Sequence, residues 1–484
     1  MNKFSFYFTL LTAVAILVSP SCSSDSVSAS ITLSQQAIFF SQLGESQVIT
    51  FTGSNIDTLE VDEDDIPDGW EITIKKSSKK ITVYGPTTQE DFDNSLTSSS
   101  ITFTATSEDD LTGSDYLTVG TTNSYIDLSS EQSNCYAVTE PGAIYSFNGT
   151  LIAESSQTIS PDYVEILWQT YPAPLSYARL LDDNTVEFHV TVDEDDYDED
   201  GYSDDLFKGN ALIAAYDSDD NVLWSWHIWI TENDIETTSV TLNDIEIMGY
   251  NLGSFTNSTL SETTILESYG LYYQWGRKDP FVGPYYYNAA GATDKTMRNE
   301  YGTTVTISYC QTNPIMGRVS YTIANPLTYL MGVEESNYDW LYAESNDDLW
   351  SETKGIYDPC PKGWRVASPE LYEGLMVPTM SQDEILTAAN DYGWKLSDAE
   401  GNSNNFMGVG RRGYITGKIQ NVNINVEKPM PWAGYYWSTT SESSTTRATA
   451  MYFAIDALDP SGNEIFNSNF YRSNGMQVRC QRDI

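Results

Sequence analysis

Histidine is nearly missing from this chain: 484 residues carry only His189 and His227. Imidazole is the usual proton shuttle and metal ligand near neutral pH, so most His-dependent chemistry is excluded before any motif is sought. No His-Glu-x-x-His, Gly-x-Ser-x-Gly or phosphate-cradling glycine loop occurs either. Carboxylate pairs are too abundant to single out a glycosidase site. The expectation is a protein that is not an enzyme. Basic residues are scarce too, with 24 Lys and Arg against 69 Asp and Glu and a formal net charge of −45. Such a field repels nucleic acid and anionic lipid and suits neutral or cationic ligands at a solvated surface. Beyond Val18 no apolar run is long enough to cross a bilayer. Cysteine is limited to five residues. Apart from Cys22, these are Cys135, Cys310, Cys360 and Cys480, which in an exported protein allow three pairings.

What is present starts at the N-terminus. Lys3 supplies a positive charge, and Phe4 to Val18 is an apolar run of signal-peptide length. Ser19-Pro20-Ser21-Cys22 resembles a bacterial lipobox, from which Pro20 and the missing leucine depart. The resemblance implies a lipoprotein signal peptide over 1–22, acylation of Cys22 and a polar tether over 23–30. It further implies an outer-membrane lipoprotein exposed at the cell surface, with the lipid as its anchor.

The 33 Tyr and 12 Trp argue against disorder despite the charge. Short runs alternate polar and apolar with the strand period, as in Gln47 to Phe51, Trp70 to Ile74, Ile81 to Tyr84 and Ile101 to Thr104. Turn-type clusters separate them at sandwich spacing, which predicts one small β-sandwich over 31–121. Its pattern resembles the immunoglobulin-like BACON repeats of Bacteroidota surface lipoproteins, modules that act as spacers. A second β-rich module is expected over 122–240, closing with a hairpin of Gly209 to Tyr216 and Val222 to Thr231. Both faces of Val222 to Ile230 are largely apolar, so that strand should be buried on both sides. NCYAV from Asn134, GNALIAAYD from Gly209 and LWSWHIWIT from Leu223 resemble a block of Bacteroidota fimbrillin-like proteins.

The segment 241–484 contains MGYNLGSF from Met248, YYQWGRKDPF from Tyr272, DPCPKGWRV from Asp358, YYWSTT from Tyr435 and MQVRC from Met476. These are similar to the C-terminal domain of fimbrillin-like proteins and to the major paralogous domain. That group implies a fold shared with C-type lectin-like and sulfatase-modifying-factor domains. The expected fold class is therefore mainly β: tandem β-sandwich modules followed by an α+β C-type lectin-like C-terminal domain. Two helices are expected there, one starting at Ser368-Pro369-Glu370 and one from the capping box Ser381 to Glu384.

Four sets of residues could carry function. Asp196, Asp198, Asp200 and Asp204 stand at positions one, three, five and nine of a loop with Gly201 at six, and the Tyr202 carbonyl completes the set. Alternate carboxylates can converge on one hard cation while glycine permits the turn, so a structural calcium is the candidate. Position twelve is Phe207 rather than Glu, so the loop is not an EF-hand; the bland alternative is a solvated acidic loop. Cys360 and Cys480 sit in the two strongest motifs of the last domain and are expected to form a disulfide. Cys135 and Cys310 could pair or stay free. Aromatic clusters suggest sugar stacking. Tyr285, Tyr286 and Tyr287, in a Gly-Pro-containing loop, and Trp432 are the candidate ligand-binding residues, whereas YYWSTT is read as core. The calcium-dependent sugar motifs of animal C-type lectins are absent.

The resemblance implies a non-catalytic, lipid-anchored adhesion protein, either a fimbrial accessory or tip-like subunit, or one that binds a glycan. The alternative is a glycan-capture lipoprotein beside an outer-membrane polysaccharide importer. Expected partners are the outer membrane and a glycan or fimbrial subunit, not nucleic acid. Stalk subunits of the fimbrillin group are cleaved after an N-terminal arginine, and no arginine precedes Arg179. A polymerising stalk role is therefore not expected.

Overall fold

The computed structural model describes residues 27–193, 207–257, 266–285, 293–342, 346–376, 393–420, 433–442, 446–454 and 466–484. Strands dominate these residues, arranged in several separate sheets. The mainly β class with tandem sandwich modules is what the chain adopts.

The N-terminal unit is two four-stranded sheets face to face. One orders Ser30–Leu33, Ser46–Ser54, Lys80–Tyr84 and Glu71–Lys75; the other orders Ala37–Phe40, Thr112–Thr121, Ser99–Thr106 and Thr58–Val61. Alternation dictates the packing: along Ser99–Thr106, Ile101, Phe103 and Ala105 are buried and their neighbours are not. With Leu33, Ile38, Phe40, Ile81 and Val83 they form the core. The sequence pattern did not signal one element, the helix Gln89–Asn94. It is capped by Thr88 accepting from the Asp91 N–H, and it buries only Phe92.

The second unit pairs a four-stranded sheet with a six-stranded one ordered Cys135–Val138, Val222–Ile230, Gly209–Tyr216, Tyr163–Thr170, Met297–Arg298 and Thr304–Val305. The last two strands come from beyond residue 240, so the chain returns to complete this sheet. The expected hairpin is present as an antiparallel pair. Its two-sided apolar sequence has a direct cause. Trp224, Trp226, Ile228 and Ile230 pack into the sandwich core, while Trp229 packs into the core of the C-terminal unit. One strand serves two cores.

The C-terminal unit is loop-rich, with small sheets such as Val240–Leu242, Ile245–Ile247, Cys480–Arg482 and Trp364–Val366. A three-stranded sheet runs Ala433–Glu442, Arg447–Ala454 and Phe466–Tyr471. Cys360 and Cys480 are joined by a disulfide with an S–S distance of 2.05 Å. Asp358 shapes the turn before it, accepting from the Cys360 and Val366 N–H groups, each at 2.9 Å, with Lys354 at 3.2 Å. The helix expected from Ser368-Pro369-Glu370 is only a single 3-10 turn, Pro369–Tyr372. Ser368 makes no side-chain cap; its N–H donates to the Gln481 side chain at 2.7 Å, and Leu371 and Tyr372 turn into the core. The helix expected near Ser381 lies outside the described residues. No helix among the described residues is long and apolar enough to cross a membrane.

Candidate ligand-binding surface

Tryptophan indoles scaffold the C-terminal unit. Trp340 donates to the Trp275 carbonyl at 2.8 Å, Trp275 to that of Ser438 at 3.0 Å, and Trp437 to that of Tyr273 at 2.8 Å. All four named tryptophan and tyrosine rings are buried, as are Tyr272, Tyr435 and Tyr436. The YYQW and YYWSTT clusters are therefore core, with the Tyr272 and Tyr436 hydroxyls and the Trp275 and Trp437 indoles donating to backbone carbonyls.

Three other tyrosines come together over this scaffold. Tyr338 lies 5.3 Å from Tyr414 and 5.1 Å from Tyr471 between ring centroids, and Tyr414 lies 4.9 Å from Tyr471. Each is half-buried. The Arg447 guanidinium stands 4.3 Å from the Tyr471 ring centre, and Ile415 beside Tyr414 is 49% exposed. The backbone beneath them is unusual. Asn337, Tyr338 and Thr446 have φ of 50°, 59° and 54°, a left-handed conformation uncommon for residues with side chains and rare for a bulky aromatic. Gly332 permits it, because a Cβ there would come within 2.7 Å of the Tyr338 backbone. Strain of this kind costs on the order of 1–3 kcal/mol per residue and persists only where its surroundings fix it.

Buried charges do the fixing. Asp339, next to Tyr338, pairs with Arg472, next to Tyr471, and both are sealed from solvent. Burial lifts the Asp339 carboxyl to about 6 against the pull of Arg472. Arg472 also reaches the Asn346 carbonyl at 3.0 Å and Asp347 at 3.1 Å. Arg412, two residues before Tyr414, is likewise buried. It donates to the Val282 carbonyl at 2.6 Å, pairs with Asp294 at 2.5 Å and donates to the Tyr309 hydroxyl at 3.0 Å. Each platform tyrosine is thus held by an adjacent or near-adjacent ionic anchor.

Of the residues singled out from sequence, Tyr285 is described and is 48% exposed. Its neighbour Pro284 bridges Asp294, the partner of Arg412, so its loop is tied to the support of the platform. Cys22, Asp196, Asp198, Asp200, Tyr202, Asp204, Tyr286, Tyr287 and Trp432 lie outside the described residues. Among the described residues no group of three or more His, Cys, Asp or Glu is placed to hold a metal. Cys135 and Cys310 are both free thiols. Sequence reasoning missed Tyr338, Tyr414 and Tyr471 because they come from two turns and a strand end far apart in the chain. The available signal was charge inside apolar text, as in Tyr338-Asp339-Trp340 and Tyr471-Arg472.

Among the described residues one Cys–His pair is in contact, and it is not poised for nucleophilic work. Cys135 Sγ lies 3.2 Å from His227 Nδ1, while Nε2 lies 2.8 Å from the Asn210 side-chain oxygen. Burial pushes the thiol up and holds the imidazole down at about 3, which favours the neutral pair.

No family model and no curated protein matches the chain. Among solved structures, it is similar to protocadherin gamma B2 extracellular cadherin domains 3–6 at 13% identity, covering 42% of this chain and 49% of that one, with a TM-score of 0.15. SporoSAG from Toxoplasma gondii matches at 8% identity over 40% of this chain and 95% of that one, with a TM-score of 0.13. A titin tandem of immunoglobulin domains matches at 9% identity over 42% and 98%, with a TM-score of 0.15. The chain spans about half the length of the protocadherin fragment, 49%. Likenesses of this size bear on neither the fold assignment nor the function.

Proposed function

We propose that this protein is a non-catalytic adhesion-type binding protein of the cell surface, tethered to the outer membrane through a lipid on Cys22. In this reading the N-terminal sandwich is a spacer, and the C-terminal unit presents a glycan-binding face. The observation that carries it is the Tyr338–Tyr414–Tyr471 cluster, with Tyr338 on left-handed backbone and buried ion pairs beside the three rings. Rigid tyrosine faces with polar rims match the apolar faces and hydroxyl edges of sugar rings, and a fixed platform loses little entropy on binding. The chain's net charge of −45 favours a neutral glycan there.

The test is a glycan array probed with the protein from Ser23 onward, with calcium and again with chelator. The expected result is binding to neutral oligosaccharides that is lost in Tyr338→Ala and Tyr414→Ala. Tyr116→Ala, at a 55% exposed tyrosine of the N-terminal sandwich, should leave it intact. Calcium-dependent binding would bring the Asp196 to Asp204 loop into function as a cation site. Absence of binding to any glycan would sink the reading in favour of fimbrial assembly. Palmitate labelling abolished by Cys22→Ser is the expected check of the anchor.

A further inference from the structure

A cleft of about 750 Å³ opens where the two sandwich units meet the returning hairpin of Met297 to Val305. Its volume falls within the range of about 300–1,000 Å³ typical of small-molecule sites. Phe39 and Thr122 line it from the N-terminal unit, Tyr171 from the second, and Arg298 from the hairpin. The units are not loosely hinged at this point. Phe39 stacks on His189 at 3.8 Å with an interplanar angle of 8°, and Ala37, Phe39, Ile144 and Tyr177 form a shared buried cluster.

Arg298 supplies the cation of this cleft. The guanidinium stands 4.3 Å from the ring centre of Tyr171, which is itself 60% exposed. Among the described residues Arg298 pairs with no carboxylate, and its Nε is buried without a hydrogen-bond partner. Among the described lining residues it is the one Lys or Arg, so the cleft carries a cation in a chain of 69 acidic and 24 basic residues. The two acids of the lining are already engaged: Glu300 accepts the Ile166 N–H at 2.9 Å, and Asp193 has a partner.

We propose that this cleft is a second glycan site, selective for a carboxylate-bearing sugar such as a uronic acid. Arg298 meets the carboxylate with charge-assisted hydrogen bonds, and the exposed face of Tyr171 stacks on the ring. Threonine hydroxyls of the N-terminal wall take the remaining sugar hydroxyls. The inference rests on the reading of the chain as a glycan-binding protein, but it uses a different surface and different residues.

The experiment is calorimetric titration of the full protein from Ser23 onward with trigalacturonate and with its methyl ester. The wild type should bind the acid at least roughly tenfold more tightly than the ester, the scale of one charge-assisted contact. Arg298→Gln should erase that preference, and Tyr171→Ala should weaken both ligands. Ile315→Ala, at a 77% exposed residue outside the cleft, should leave the preference untouched. Equal binding of acid and ester by the wild type, no binding of the acid, or a preference that survives Arg298→Gln each overturns the proposal. Should Arg298→Gln fail to fold, exposed Tyr171 decides: unchanged acid binding in Tyr171→Ala overturns it. A Tyr338→Ala variant that still binds neutral glycans would overturn the platform instead, so the two failures are separate.

Discussion

At the scale of single residues, the ion pair of Asp339 and Arg472 ties the proposed binding face to stability. Two charges taken out of water are tolerated because each completes the other. Arg472→Met should strand Asp339 and cost about 3–5 kcal/mol, read as a lowered unfolding midpoint, with platform binding lost alongside. Adding Asp339→Leu should recover much of the stability, since it removes the stranded charge, but should not restore binding. A double mutant no more stable than the single one would show that the pair acts through something other than charge compensation. The thiols offer a second residue-level test. Cys135 is sealed beside His227, whereas Cys310 is half-buried. Maleimide should therefore label Cys310 in the native protein and reach Cys135 only after unfolding. Rapid native labelling of Cys135 would contradict the neutral, buried pair.

At the scale of elements, the hairpin Met297 to Val305 holds the second and C-terminal units together, and it carries a half-buried carboxyl, Glu300, at the edge of the cleft. Burial raises Glu300 from 4.5 to about 7. The folded state thus binds a proton that the unfolded chain has released, so its stabilising contribution is complete below about pH 4.5 and is lost as pH rises through about 7. The loss attributable to this group should be up to about 3 kcal/mol, measured as denaturation midpoints across that window. Glu300→Gln keeps an acceptor for the Ile166 N–H and should flatten that part of the profile. An identical slope in the variant would assign the effect elsewhere. Strands were the legible part of this architecture. Ile101, Phe103 and Ala105 alternate with polar neighbours, and the apolar text around Trp226 and Trp229 announced a strand buried on both sides. The motif cysteines, Cys360 and Cys480, were legible as a pair. The hairpin return was not, because two-residue strands such as Met297–Arg298 are too short to show a period. Ser368-Pro369 has the residue types of a helix start, but Ser368 makes no side-chain cap and the demand for Leu371 and Tyr372 in the core ends the helix after one turn. The tyrosine platform was invisible for a third reason. Its residues share no local pattern, only convergence in space.

At the scale of the whole molecule, the units differ in how separable they are. The N-terminal sandwich closes its own core and meets the second unit through a small patch around Phe39, Tyr177 and the hydrogen bond from Arg179 to the Gln47 side chain. The boundary near residue 240 is of another kind. Cys135, Trp168, Leu212 and Trp229 belong to the same core as Tyr273, Trp275 and Trp437. Ser133 donates to the Cys360 carbonyl at 3.0 Å, and Lys278 lies buried between Asp279 at 2.5 Å and the Ser225 carbonyl at 2.9 Å. The disulfide spans 120 residues of this combined body, and replacing both cysteines by serine should cost roughly 4–5 kcal/mol by loss of the constraint on the unfolded chain. Cutting the chain at residue 240 would bare Trp168 and Trp229 and remove the strands that complete the six-stranded sheet. Each exposed tryptophan carries an apolar area whose burial is worth several kcal/mol. A fragment of residues 23–122 should therefore fold alone with a cooperative thermal transition, and one of residues 123–484 should unfold as a single body. A fragment of residues 123–240 should not hold its fold, remaining aggregation-prone with exposed apolar surface that binds a hydrophobic dye. Cooperative unfolding of that last fragment would mean that the two cores are independent and that the spacer reaches as far as residue 240, leaving the tyrosine platform on a separately folding head.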